Sequence, residues 1–253
     1  HDSIYLSSLG EGGSGDGQLE HPGDVALDSE GNVWVADEEN NRIAEFDPAG
    51  DFIQVFGQTG SANGYLNRPA SLAVDANGDI LVADAGNSRI QKFDPEGKYL
   101  SKFGSYGGAA GQLREPEGVA VDSNGNIWVS DTYNGRLQEF DAEGKFIRVA
   151  GSYGFDPGQL GEPTAIDIGP GGKVWVADWL GDRVVEFSEK GKFIRQFGTE
   201  GTANGQFRHP DALAIDDRGQ LWVADEGGDR VQAFTEEGEY VAQLGVKGTG
   251  EGQ

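Results

Sequence analysis

Apolar and polar residues alternate along the chain in short bursts. In "NVWVAD" (Asn32–Asp37) and "RIAEFD" (Arg42–Asp47) the alternation lasts only a few residues, the period of a half-buried strand rather than of a helix face. A short apolar run, "PGDVALD", precedes them and "DFIQVFG" follows, so residues 22–57 read as four strands. The connections "DSEGN" and "DPAGD" carry Gly three residues after Asp, which suits the left-handed position of a tight hairpin. Nothing predicts a helix: the apolar runs are too short and too β-branched, and 42 glycines interrupt them.

The pattern returns at a shift of 47 residues, as "DILVADAGNSRIQKFD", "NIWVSDTYNGRLQEFD", "KVWVADWLGDRVVEFS" and "QLWVADEGGDRVQAFT". Pro22, Pro69, Pro116, Pro163 and Pro210 keep that spacing, as do Trp34, Leu81, Trp128, Trp175 and Trp222. Five units follow, at residues 11–57, 58–104, 105–151, 152–198 and 199–245. Each has the size of a four-stranded propeller blade. A lone blade cannot bury both of its faces, so neighbouring blades must stack, with the recurring Trp, Phe and Val positions between them. A buried Trp contributes on the order of 2–3 kcal/mol through area removed from water.

The repeating string P-x-x-V-A-V-D-x-x-G-N-x-W-V-A-D-x-x-N-x-R-I-x-x-F resembles the NHL repeat over nearly the whole chain. The departures are mild: Gly181 and Gly228 stand where Asn is usual, and "EPTAIDIGPGGK" alters the first strand of the fourth unit. The resemblance implies an all-β fold, a β-propeller of four-stranded antiparallel blades with a six-bladed parent. Residues 1–10 align with an outermost strand and residues 246–253 with the lead-in to a further blade. The expectation is five complete blades plus a lone outer strand of a sixth, in one domain over residues 1–253. The segment matching residues 19–47 would then be missing from the sixth. A five-bladed ring with a spare strand, or a gap filled by another chain, are the alternatives.

A formal net charge of −24 argues against nucleic acid or an anionic membrane as partner, because both call for a Lys/Arg footprint. With no cysteine, disulfides, thiolate metal sites and cysteine nucleophiles are excluded. No apolar run approaches the ~20 residues of a membrane helix, so membrane insertion is not expected. The chain starts at His1 and has no Met, which reads as an excised or processed piece, placed as secreted or cell-surface.

Candidate site residues are those that break the repeat in the loops before the first strand and between the second and third: Trp179, Tyr133, His21 and His209, with the loop carboxylates Glu38 and Glu226. Trp and Tyr at loop tips suit an anchoring role towards protein, peptide or glycan; the plain alternative is packing over a neighbouring blade. A catalytic zinc needs three convergent ligands, and the only other histidine is His1, so no metal site and no catalytic residue is assigned. No cofactor is expected, with a divalent cation at Asp24, Glu117 and Asp211 as the lesser alternative. "DANGD" and "DSNGN" look like calcium loops but lack the bidentate Glu and read as hairpin turns. The recurrent Asp37, Asp84, Asp131, Asp178 and Asp225, and the Arg five residues after each, recur too regularly for chemistry needed once. They read as structural, the Asp accepting loop N–H groups and the Arg stem covering apolar surface.

The strict period leaves no inserted loop for a bespoke active site. The reading is therefore a non-enzymatic interaction module presenting one loop face. The resemblance implies the same, since NHL propellers commonly serve as binding platforms; some bind RNA through a basic face, which the loop glutamates here oppose. The alternatives are a metal-dependent lactonase or lyase, as on similar six-bladed rings, and a structural subunit of a surface or filamentous assembly that self-associates through the incomplete blade.

Overall fold

The computed structural model describes residues 8–216 and 218–248. Two compact units divide the chain, one of residues 9–134 and 138–148, the other chiefly of residues from 149 onward with Gly135–Leu137. Five four-stranded sheets, each in the order a-b-c-d along the chain, make up the blades of a β-propeller. The first comprises Pro22–Leu27, Val33–Asp37, Arg42–Phe46 and Phe52–Phe56. The second comprises Pro69–Val74, Ile80–Asp84, Arg89–Phe93 and Tyr99–Phe103. The third comprises Pro116–Val121, Ile127–Asp131, Arg136–Phe140 and Phe146–Ala150. The fourth comprises Pro163–Gly169, Lys173–Asp178, Arg183–Phe187 and Phe193–Phe197, and the fifth Pro210–Ile215, Leu221–Asp225, Arg230–Phe234 and Tyr240–Leu244. Among the described residues there is no α-helix, and none is long and apolar enough to cross a membrane. Of the outer strand expected over residues 1–10, residues 1–7 lie outside the described residues, and Ser8–Gly10 belong to no strand. The expected lead-in is described only to Gly248.

The hairpins form as the Asp-x-x-Gly spacing predicts. In the first, Gly31 N–H donates to Asp28 O and Asp28 N–H to Asn32 O, with Gly31 at φ 86°. The fourth blade departs from the others here: its strand a runs to Gly169 and turns through Gly171 and Gly172, both at positive φ. In the "DANGD" turn, Asp75 Oδ1 accepts the N–H groups of Asn77 and Asp79. The Lys92 ammonium sits 2.8 Å from Asp75 and 2.9 Å from Asp79, so the cation in this calcium-like loop is a lysine.

Blades stack as the apolar pattern requires. Trp34, 1% exposed, packs in one core with Leu66, Leu72 and Ile80 of the next blade, and Trp175 does so with Phe207, Leu221 and Val223. The anchoring Leu66, Leu113, Leu160 and Phe207 are fully buried. Each comes from a glycine-rich loop pinned by a short parallel bridge, such as Thr59 to Leu66.

Each strand a leaves N–H groups on its free edge, and side chains from the preceding blade satisfy some of them. Asp24 Oδ2 accepts the Ser71 hydroxyl at 2.6 Å and Leu72 N–H at 3.1 Å, while Ser71 Oγ accepts Val119 N–H. Asp24 Oδ1 accepts Val25 N–H, so both oxygens of this carboxylate are committed to protein donors. In the other unit Asp167 accepts Ile168 N–H and Ile215 N–H, each at 2.7 Å. The four other units carry Ala at this position.

Burial pushes the Asp167 carboxyl above the ordinary aspartate range, against the pull of those two N–H groups. The native state therefore holds a proton at pH values where the unfolded chain, with a pKa of about 4, has released it. This group's contribution is fully present below the unfolded pKa and is lost as pH rises towards the native one. The wild-type melting temperature minus that of Asp167→Ala should accordingly fall as pH rises from about 4 to 7. Thermal melts across that range check it, and a constant difference would show that the carboxyl titrates alike in both states.

Candidate functional site

The end of strand b and the loop after it are built around one buried carboxylate per blade. Asp84, fully buried, accepts Asn67 N–H at 2.8 Å, Asn87 Nδ2, Gln91 Nε2 and, at 2.6 Å, Arg89 Nε. The remaining guanidinium N–H groups of Arg89 donate to the carbonyls of Ser61, Ala62 and Tyr65. Arg42 and Arg230 repeat this, reaching Ser14, Gly15 and Gln18, and Thr202, Ala203 and Gln206. The arginine fork, and not only its apolar stem, thus ties each lead-in loop to the blade that follows it. Gly181 and Gly228 replace the Asn of the motif because the carboxylate occupies its space: a Cβ at either would lie 2.2 Å from an oxygen of Asp178 or Asp225.

On this frame the lead-in residue before the proline meets the b–c loop of the preceding blade at two joins, Arg68 against Glu38 and His209 against Trp179. His21, Arg68, Glu115 and His209 all hold positive φ, between 47° and 55°, a conformation uncommon outside glycine and concentrated at functional loops. In the first unit Arg68 bridges Glu38 at 3.1 Å and Glu115 at 3.3 Å, and His21 Nδ1 lies 3.4 Å from Glu38. These loop glutamates are therefore not free negative charges. Tyr133, 43% exposed, lies under the Arg114 guanidinium at 5.7 Å.

The second unit fills the equivalent positions with rings. The Trp179 indole stacks on the His209 imidazole, with centroids 4.0 Å apart and planes 15° apart. Its Nε1–H donates to Glu226 at 3.1 Å. Trp179 and His209 stand where Glu38 and Arg68 stand in the first blade pair, so one contact is ionic in one place and aromatic in the other. The backbone changes here too: Trp179 N–H donates to Glu162 O, one residue out of step with Gly86 to Asn67 and Gly227 to Arg208. Gly161 accommodates the shift; a Cβ there would lie 3.0 Å from Phe155 and 3.1 Å from Leu180. Phe155, Tyr153 and Leu180 are exposed, at 54%, 62% and 37%, and the rings of Tyr153 and Phe155 meet edge to face.

Of the six expected site residues, Trp179, His209 and Glu226 come together in one cluster and His21 and Glu38 in another, while Tyr133 pairs with Arg114. Phe155 was not anticipated. Its signal was legible, since the equivalent positions carry Ser14, Ser61, Gly108 and Thr202, but it lies further from Pro163 than the lead-in residues next to each proline. Among the described residues, no group of three or more His, Asp or Glu is gathered as metal ligands. Asp24 and Glu117 lie in the first unit and Asp211 in the second.

A family model for the NHL repeat matches residues 19–46, 66–93 and 113–140. Protein lin-41 of Caenorhabditis elegans is 46% identical over 48 residues, which is 19% of this chain and 4% of that protein. The E3 ubiquitin-protein ligase TRIM71 of Rattus norvegicus is 45% identical over 49 residues, 19% of this chain and 6% of that protein. These matches span only a small part of either relative. The streptogramin B lyase structure has a TM-score of 0.68 at 20% identity, covering 89% of this chain and 68% of that chain; at that identity the likeness is one of fold. With the motif matched in three units and the same sheet order in all five, the chain is an NHL-repeat β-propeller.

Proposed function

We propose that this propeller is a protein-interaction module whose ligand surface is the apolar patch of the fourth blade, centred on Trp179 with Phe155, Leu180 and His209. The observation that carries this reading is the pre-set indole. Stacking on His209 and the bond to Glu226 fix the ring before any ligand arrives, which lowers the ordering cost of binding. Exposed Phe155 and Leu180 add apolar surface beside it on a chain of net charge −24, where exposed apolar patches mark interaction sites. A stacking indole alone would suit a glycan equally well; the neighbouring Phe and Leu favour apolar side chains, hence a peptide segment. The enzymatic alternative is carried by fold likeness, which does not transmit chemistry.

Selection of a displayed peptide library on the wild-type protein tests this. Enriched peptides should carry aromatic or large aliphatic residues. Trp179→Ala and Phe155→Ser should each weaken their binding at least about tenfold, the loss of one buried anchor, with melting unchanged. Enrichment of peptides indifferent to both substitutions would remove the patch from the account, and selective retention of oligosaccharides would point to a glycan.

A further inference from the structure

In the first unit the loop face holds a guanidinium between two glutamates. Arg68, in the lead-in to the second blade, lies 3.1 Å from Glu38 and 3.3 Å from Glu115. One carboxylate comes from a b–c loop and the other from the next lead-in, so the cation is gripped from two sides.

The fourth blade carries the lead-in glutamate of that arrangement without the cation. Glu162 stands one repeat after Glu115. Its side chain is partly exposed and has no hydrogen-bond or ion-pair partner among the described residues. Its backbone is fixed on both sides: Glu162 N–H donates to Asp178 Oδ1 at 3.1 Å, and its carbonyl accepts Trp179 N–H at 2.9 Å. The four other lead-in residues at this position hold positive φ, and Glu162 does not. The altered backbone thus places an unpaired carboxylate one hydrogen bond away from Trp179.

A second carboxylate adjoins Phe155. Asp156 is exposed, and its side chain is likewise without a partner among the described residues. Only its backbone is engaged, its N–H donating to Gln159 Oε1 at 3.0 Å and its carbonyl accepting Gln159 N–H at 2.9 Å. The Phe155 ring would lie 3.0 Å from a Cβ of Gly161, and Gly161 precedes Glu162, so the aromatic ring and both carboxylates share one surface. The arginines of this region are turned elsewhere. Arg183 gives its Nε–H to Asp178 and its other N–H groups to the carbonyls of Phe155 and Gln159. The stem of Arg208 packs on Gly227, its Cβ 2.9 Å from where a Cβ there would stand.

We infer that the peptide taken by the fourth-blade patch carries a Lys or Arg within about three residues of its apolar anchor, a reach of about 10 Å in an extended chain. Glu162 and Asp156 hold that charge, as Glu38 and Glu115 hold Arg68. This rests on the reading of the patch as a peptide site. Charges at the rim of such a surface act on partner choice and on the rate of association, so an acidic peptide with the same anchor is rejected.

A displayed peptide library selected on the wild type at about 0.05 M salt, where screening is weak, gives the first result. Lys and Arg should be enriched beside the apolar anchor. The most enriched sequence is then synthesised twice, with its basic residue and with Gln in that place. Asp156→Asn with Glu162→Gln should weaken the basic peptide about five- to tenfold, the worth of two exposed ion pairs, and leave the Gln peptide within about twofold. Neither side chain makes a hydrogen bond, so melting should hold. Glu189→Gln with Glu237→Gln, on exposed c–d turns, changes the net charge equally and should leave both peptides unaffected. An equal loss in that control would assign the effect to the charge of the whole chain and overturn the inference. Peptides that need Trp179 and Phe155 but show no basic enrichment, or that bind the Asp156 and Glu162 double variant as tightly, would overturn it while leaving the patch in place. Peptides indifferent to Trp179→Ala and Phe155→Ser would remove the patch itself, and this inference with it.

Discussion

Asp84→Ala should lower the stability of the protein by about 3–5 kcal/mol, the loss expected when one partner of a buried pair is removed. The carboxylate has no exposed surface, and four donors converge on it: a backbone N–H, two side-chain amides and the Arg89 guanidinium. Without it Arg89, itself 5% exposed, keeps its three carbonyl partners but holds an uncompensated charge in the interior. Asn67 N–H also loses its acceptor. Urea unfolding at neutral pH measures the change. A loss under about 1 kcal/mol, the range of a single exposed ion pair, would show that the loop carbonyls alone anchor the arginine. Asp84→Asn keeps the shape and part of the acceptor set, and should fall between the two.

Trp34→Ala should cost a similar amount, about 3–5 kcal/mol, for a different reason. Here the loss is of packed apolar volume at the join of the first two blades. The Phe56 ring lies 6.1 Å from the indole, and the indole N–H donates to Asp28. The chain supplies its own control, since Leu81 occupies the equivalent place in the second blade at 1% exposure. Trp34→Leu should therefore be milder, about 1–2 kcal/mol, because a second apolar residue refills part of the space. Equal losses for Ala and Leu would show that the bond to Asp28, which both remove, outweighs the packing.

These two sites mark how far the sequence could be read. The strands, the hairpin turns and the structural place of each Asp followed from local pattern, because alternation and Asp-x-x-Gly spacing act within a few residues. The Trp stack followed from the repeat. What escaped were contacts between one repeat and the next at spacings other than the period. Arg68 with Glu38, Trp179 with His209, and Arg89 with the Ser61 and Ala62 carbonyls each join residues roughly 30 positions apart. Residue type alone does not announce such pairs. Asp167 was passed over because one acidic residue in an apolar strand looked like a mild departure, whereas the edge N–H of the next blade gives it a purpose. The candidate patch was half legible: Trp179 stood out at a loop tip, and Phe155 did not, because its distance along the chain from Trp179 gives no hint that the two share one surface.

Those glycine-rich loops have a mechanical consequence. Those of Leu66 and Phe207 are fastened backward by that residue, sunk into the flank of the blade before, and forward by the arginine fork of the blade after, Arg89 and Arg230. Between these fastenings the loop closes on itself, with Gly60 N–H donating to Leu66 O and Leu66 N–H to Gln58 O. A composition that usually signals a hinge thus makes a rivet. Adjacent sheets joined this way must loosen together, so local opening should spread in pairs of blades rather than stop at the glycines.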